Sequence, residues 1–205
     1  MKMNKKMSLS LMGLGFACIL GAAGVLGYTQ MQEKSALSFG HEVIVALEQE
    51  MQISDISGIE EMKTTAISIN GQSYMGVILI PQLELELPVA STYTDALLQQ
   101  TPCAFAGSIA TEDLIIAAHN YTVHFGDISQ LEVKDEIYLV DAAGMLHTYQ
   151  LVLEETLDGS DLTGLYEGEW DLTLFTCSHM NNAKRAVLRL IEVQEETIDI
   201  TSNTI

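Results

Sequence analysis

"TTAISINGQSYMGVILI", residues 64–80, holds two runs of alternating apolar and polar residues on either side of Asn70-Gly71. Asn-Gly between two such runs is a strong hairpin signal, because a type I′ turn needs positive φ at both central positions. "PQLELELPVA" (81–90) follows, with Leu83, Leu85 and Leu87 alternating with Glu84 and Glu86. That pattern predicts a half-buried strand bounded by Pro81 and Pro88. Period two persists downstream. "DLIIAAHN" (113–120) has the near-continuous apolar run of an interior strand. "EIYLVDAAGMLHTYQLVLEET" (136–156) reads as two strands around a turn at Asp141 to Gly144, and "WDLTLFTC" (170–177) and "RAVLRLIEV" (185–193) complete the set. Helical pattern between the runs is confined to short pieces such as 94–100. Many short strands separated by turn signals predict an antiparallel all-β barrel or sandwich, not an α/β sheet.

Upstream of this region the chain changes character. Lys2, Lys5 and Lys6 are followed by Leu9–Tyr28 without a single charge. About 20 such residues span a bilayer core as a helix, and the lysines would hold that end in the cytoplasm. Ala22, Ala23 and Gly24 would suit a signal peptidase, but the apolar stretch is long for a cleaved leader, so an uncleaved anchor is expected. The domain expectation is a basic cytoplasmic tail at 1–8, a transmembrane anchor at 9–28, a juxtamembrane helix and linker at 29–63, a catalytic barrel at 64–197 and a tail at 198–205. Its localisation is then a single-pass cell-membrane protein with an extracellular domain. All 28 acidic residues but only six of the nine basic ones lie after position 32, a net charge of −22 for the exported part. Such a balance argues against nucleic acid, or attraction to an anionic lipid surface, as the main partner.

Cys18 falls in the apolar segment, which leaves Cys103 and Cys177 in an oxidising compartment. They are either one disulfide or two thiols, and a domain of this size does not need a staple. A thiol attacks as thiolate and needs a base or cation beside it. His119 ends one strand, Cys177 ends another, and Arg185 opens the strand after a tight return loop. If those strands are neighbours, an imidazole, a thiol and a guanidinium meet at one rim, where the permanently charged arginine can bind a developing oxyanion. Arg189 has the same-face spacing and is the competing choice. Tyr121 and Trp170 read as packing residues. His124 and His179 invite a metal reading with His119, but no spacing supports a zinc site, and calcium through Glu112 and Asp113 rests on nothing specific. No cofactor is indicated.

These words together resemble the sortases, membrane-anchored cysteine transpeptidases of Gram-positive surfaces. Thr173, Leu174, Thr176 and Cys177 match a TLxTC motif, His119 ends the expected strand, and Arg185 starts the last one. Met75 to Val89 resembles the family's proline-containing strand pair, so the likeness covers roughly residues 74–194. It implies a closed sortase-type β-barrel of about eight strands with short helices. It also implies attack by Cys177 on an LPxTG-like sorting signal, proton transfer by His119, oxyanion or peptide contact by Arg185, and peptide contact by Thr176. The partners implied are sorting-signal peptides of exported proteins and a cell-wall precursor or peptidoglycan amine. Ala118 departs from the usual glycine before the histidine. The connection of about fifteen residues before TLFTC has no room for the long helix of class B, and no aspartate-proline-aromatic lid is present. A class D- or E-like or housekeeping-like enzyme is therefore expected over class B or C. The alternative is a non-enzymatic or decayed sortase-like surface protein.

Overall fold

A computed structural model describes residues 5–56, 66–177 and 183–193, with side chains for residues 18, 21–50, 66–176 and 183–193. The expected tail at 198–205, His179 and most side chains of the expected anchor lie outside the described residues. A single helix, α1 (Lys5–Ile56), carries both the anchor segment and the juxtamembrane segment without a break. Among the described residues no helix is long and apolar enough to cross a membrane.

The strands are β1 (Ile67–Ile69), β2 (Gln72–Ile80), β3 (Leu85–Ala90), β4 (Cys103–Ala106), β5 (Leu114–Ala117), β6 (Glu136–Asp141), β7 (Leu146–Asp158), β8 (Leu172–Cys177) and β9 (Lys184–Glu192). A short helix, α2 (Asp95–Leu98), is capped by the Thr94 hydroxyl, which accepts from the Leu97 amide at 3.1 Å. Their order in the sheet is β1-β2-β3-β4-β5-β8-β9-β7-β6, and β2 also pairs with β6. That last pairing closes eight strands into a barrel and leaves β1 as a flap on β2. Closure requires β2 to serve two neighbours at Gly76, where a Cβ would collide with the Val140 carbonyl across the seam. Asn70 and Gly71 both take positive φ (52° and 81°), as the hairpin reading required.

One expectation needs correction. Pro81 does not open a strand but starts a 3-10 turn, Pro81–Leu83, after which Glu84 sits in the left-handed region and β3 runs through Pro88. Proline is tolerated there because β3 meets β4 only at Ala90↔Cys103, so position 88 has no partner on that side to need its missing N–H.

Inside the barrel pack Ile78, Ile80, Val89, Leu114, Ile116, Leu139, Leu151, Leu172, Leu174 and Leu190. Two smaller clusters lie outside it. One is the seat of α1, where Val43 and Leu47 cover Tyr74, Val77, Ala90 and Cys103. The other lies on the outer face of β5, β8 and β9, formed by Ile115, Ala117, Phe175 and Val187 under Leu165.

Candidate active site

The outer face of β5, β8 and β9 positions the chemistry. β5 and β8 run parallel with Ala117 opposite Phe175, and the Ala118 amide donates to the Phe175 carbonyl at 3.1 Å. Continuing that register by two residues brings position 119 level with position 177. On the other side of β8 the antiparallel ladder pairs Cys177 directly with Arg185. Cys177 and Arg185 therefore stand opposite each other on β8 and β9, and His119 lies two residues past the end of β5 on the other side of β8, with adjacent strands about 4.8 Å apart. Strand alternation gives positions 177 and 185 the face that Phe175 and Val187 occupy. The side chain of Cys177 itself is outside the described residues.

Ala118 does not strain the approach to His119. It is 4 % exposed, packs into the barrel core, and has no positive φ. The chain then folds back on itself. The His119 carbonyl accepts from the Phe125 amide at 3.2 Å, and the Tyr121 carbonyl accepts from the amides of His124 (2.9 Å) and Gly126 (2.8 Å). This loop lays the Tyr121 ring on the His119 ring, with centroids 4.0 Å apart and planes within 16°. Tyr121, expected to be a packing residue, is thus the group against which the histidine is held. The His119 Nδ1 is buried and has no hydrogen-bond partner. Burial lowers the His119 pKa below the usual imidazole value, and a hydrogen bond to the Asn120 side chain, which accepts, opposes the shift. A cavity of about 450 Å³ opens at this ring, lined by Gln99, His119, Asn120 and Tyr121 from the barrel and by Tyr28, Thr29, Gln32 and Glu33 of α1.

Arg185 is half-buried. Its Nη1 donates to the carbonyls of Gly159 and, at 3.3 Å, Asp158, and its Cζ lies 5.8 Å from the centre of the Phe175 ring. The guanidinium thus lies between the Asp158–Gly159 carbonyls and the Phe175 ring. Arg189 is placed elsewhere. It is 1 % exposed and spends its donors on Glu155 Oε1 (2.7 Å), the Leu165 carbonyl (2.8 Å), Thr173 Oγ1 (3.0 Å) and the Gly164 carbonyl (2.5 Å). The sequence favours Arg185 by its offset of eight from Cys177; the ladder sets Arg185 opposite Cys177 and Arg189 opposite Thr173, where it ties the 163–166 turn to the sheet. Thr176 lies on the opposite face of β8 from Phe175. It is 2 % exposed with an unpartnered hydroxyl, so its side chain does not line the outer face.

Cys103 is fully buried, donates its thiol to the Thr101 carbonyl at 3.5 Å, and has its pKa pushed up to about 11 by burial. It pairs with Ala117, which pairs with Phe175, so two strand spacings, about 9.6 Å, separate it from β8. A disulfide spans Cα atoms at most about 7 Å apart, which excludes a Cys103–Cys177 bridge in this fold. Among the described residues no group of three or more His, Cys, Asp or Glu is placed to hold a metal ion. The Asp113 carboxylate is occupied by the Ser108 amide and the Thr111 hydroxyl.

The family model described as Sortase domain matches residues 78–194. No curated protein matches the chain. Among solved structures, sortase C1 from Streptococcus agalactiae is similar at 22 % identity and a TM-score of 0.55, over 76 % of this chain and 91 % of that one. Sortase C of Streptococcus pneumoniae is similar at 18 % identity and a TM-score of 0.53, over 72 % of this chain and 88 % of that one; it is described in connection with pilin substrate specificity. The pilus island 1 sortase C2 of group B Streptococcus shares 16 % identity with a TM-score of 0.54, over 77 % and 98 %.

Proposed function

Because the chain belongs to the sortase family, a family of cysteine transpeptidases, we propose that it is a membrane-anchored transpeptidase using Cys177, His119 and Arg185. The observation that carries this reading is the pairing of Cys177 with Arg185 on β8 and β9, with His119 just past the end of β5 at the level the β5–β8 register extends to. An LPxTG-like signal lies along the outer face, its apolar residues against Phe175, Ile115 and Leu165. The Cys177 thiolate attacks the carbonyl carbon of the scissile amide, and the carbonyl π pair moves onto oxygen. Arg185, fixed by the turn carbonyls, faces that oxyanion. Collapse of the intermediate expels the amine, which takes its proton from the His119 imidazolium and leaves a thioester at Cys177. A cell-wall amine, deprotonated by the now neutral His119, attacks the thioester and restores the thiolate. Water does the same more slowly.

The anchor belongs to the same reading. The uncharged run Leu9–Tyr28 spans the bilayer as part of α1, with Lys2, Lys5 and Lys6 in the cytoplasm and the barrel outside the cell. On subclass, the 13 residues between β7 and β8 hold one short 3-10 turn, which supports a D-, E- or housekeeping-like enzyme over class B, whereas the similar solved structures are C-type. Peptide preference separates these. Incubated with a panel of sorting peptides, the protein should gain the mass of an acyl fragment on Cys177 by intact-mass and peptide mapping. Cys177→Ala should abolish the adduct, and Arg185→Lys should cut turnover by about 100-fold or more. An adduct that survives Cys177→Ala, or none with any peptide, overturns the assignment and favours the non-enzymatic alternative.

A further inference from the structure

The point at which α1 loses its charge-free character coincides with the point at which the barrel begins to cover it. Residues 21–31 of α1 are all exposed in the folded protein, including Val25 and Leu26 (64 % each) and Met31 (73 %). Protein cover starts at Gln32 and Glu33, which are half-buried, and is complete by Ala36, at 3 % exposure. Glu33 and Lys34 are also the first charges after Lys6. The first barrel surface met at this height is the His119 cavity, to which α1 contributes Tyr28, Thr29, Gln32 and Glu33.

We infer that the His119 rim of the barrel rests in the headgroup layer of the bilayer, so that the active site opens onto the membrane surface and not onto bulk solution. The inference rests on the anchored reading above. Twenty helical residues from Leu9 to Tyr28 measure about 30 Å, the thickness of the hydrocarbon core. Headgroups add roughly 5–7 Å on each side, and at 1.5 Å per residue the next four or five residues, up to Glu33, span that layer. Tyr28 sits at the boundary where interfacial aromatics concentrate, and its hydroxyl accepts from Gln32 Nε2 at 2.6 Å. No glycine or proline interrupts α1 between Tyr28 and Gly40, so no hinge separates the anchor from its seat on the barrel.

The charge balance makes this strut necessary. With a net charge of −22 the exported part is repelled by an anionic surface, and the apolar helix holds the rim to the bilayer against that repulsion. A polypeptide still held in the same bilayer would then meet the site at a far higher effective concentration than the same signal free in solution.

Depth-dependent fluorescence quenching tests the placement. The single tryptophan, Trp170, precedes β8 and lies at the end of that strand away from Cys177, about 20 Å along it. The full chain is reconstituted into phosphatidylcholine vesicles carrying a spin label on the lipid headgroup. Trp170 in the natural protein is compared with a tryptophan at the rim, Gln99→Trp in a Trp170→Phe background. Thr122→Trp in that background is a second rim probe should the first disturb folding, and Tyr28→Trp marks the interface itself. The rim tryptophans should be quenched several-fold more strongly than Trp170 and to nearly the depth of Tyr28→Trp. Equal quenching at rim and Trp170, or stronger quenching of Trp170, overturns the inference while the protein still floats with the vesicles. If the protein leaves the vesicles on an alkaline carbonate wash, the anchored reading itself fails and the placement falls with it.

Discussion

His119 and His124 lie on the same loop, and both have their pKa lowered by burial, yet their environments assign them different tasks. His124 is 1 % exposed, its pKa is held down to about 4 by burial and then by its neighbour His119, and its Nδ1 has no partner. It stays neutral in the fold, whereas the unfolded chain takes up the proton below the ordinary value of 6.5. The stability it supports is therefore complete above pH 6.5 and is lost as pH falls toward 4, by about 3 kcal/mol in all. Urea midpoints at pH 7 and pH 4.5 should differ less in His124→Gln than in the natural protein, by about 2 kcal/mol. His119, by contrast, carries a proton for the leaving amine in the proposed mechanism. Its imidazolium gains from the Tyr121 ring face stacked 4.0 Å away, an attraction of roughly 0.5–1 kcal/mol. Tyr121→Leu keeps the site dry but removes that face. The His119 pKa read by NMR should fall further, by about half a unit, with the alkaline limb of kcat/KM moving to lower pH. Tyr121→Phe should restore both. An unchanged titration in Tyr121→Leu would leave the ring with a packing role only.

At the scale of elements, β9 shows how two arginines four residues apart acquire separate roles. Arg185 pairs with Cys177 at the rim, while Arg189 pairs with Thr173 and is buried against the turn at Thr163–Tyr166. Arg189→Met strips the carbonyls of Gly164 and Leu165 of their donor and leaves Glu155 unpaired at the edge of the cluster, a loss of about 2–3 kcal/mol. Because that turn places Leu165 over Phe175, the change should raise KM for a sorting peptide more than it lowers kcat, and Arg189→Lys should recover part of the binding. An equal fall in turnover with KM unchanged would deny the turn a part in peptide binding. Neither the burial of Arg189 nor its partners could be read from "RAVLRLIEV", since alternation gives both arginines the same face and only the position of the 163–166 turn distinguishes them. The hairpin at Asn70-Gly71 was legible because its chemistry is local. β3 was misplaced by a few residues because proline normally excludes an interior strand, and the sequence does not reveal that β4 leaves most of β3 unpaired. Cys177 was legible as a strand end, whereas β5 stops at Ala117, two residues short of His119, and the common level of 119 and 177 depends on the parallel pairing of β5 with β8. No local pattern encodes that pairing.

Among the described residues, the closed barrel carries an outer apolar cluster away from the candidate site that is covered by α1. Val43 (4 % exposed) and Leu47 (fully buried) lie over Tyr74, Val77, Ala90 and Cys103, and Gly40 lies against Pro88. α1 also lines the cavity at His119, so on the anchored reading its docking couples the membrane segment to the orientation of the candidate site. Docking is local packing, and it can be weakened without opening the barrel, whose core shares no residue with this cluster. Each truncation of a buried large aliphatic to alanine costs about 2–5 kcal/mol, less where the site collapses. In Val43→Ala/Leu47→Ala, α1 should lift from its seat far more often than the barrel unfolds. Cys103 reports this directly, because its thiol is fully buried beneath the helix and its raised pKa makes it unreactive while covered. In a Cys18→Ala/Cys177→Ala background, alkylation of Cys103 should accelerate markedly in the double variant at pH 8, while the near-ultraviolet dichroism of the barrel is retained. The reagent would then trap the lifted helix, since a modified Cys103 no longer fits beneath Leu47. Unchanged alkylation would mean that β4 itself, rather than α1, shields the thiol, and that the barrel holds its orientation to the bilayer by contacts other than this seat.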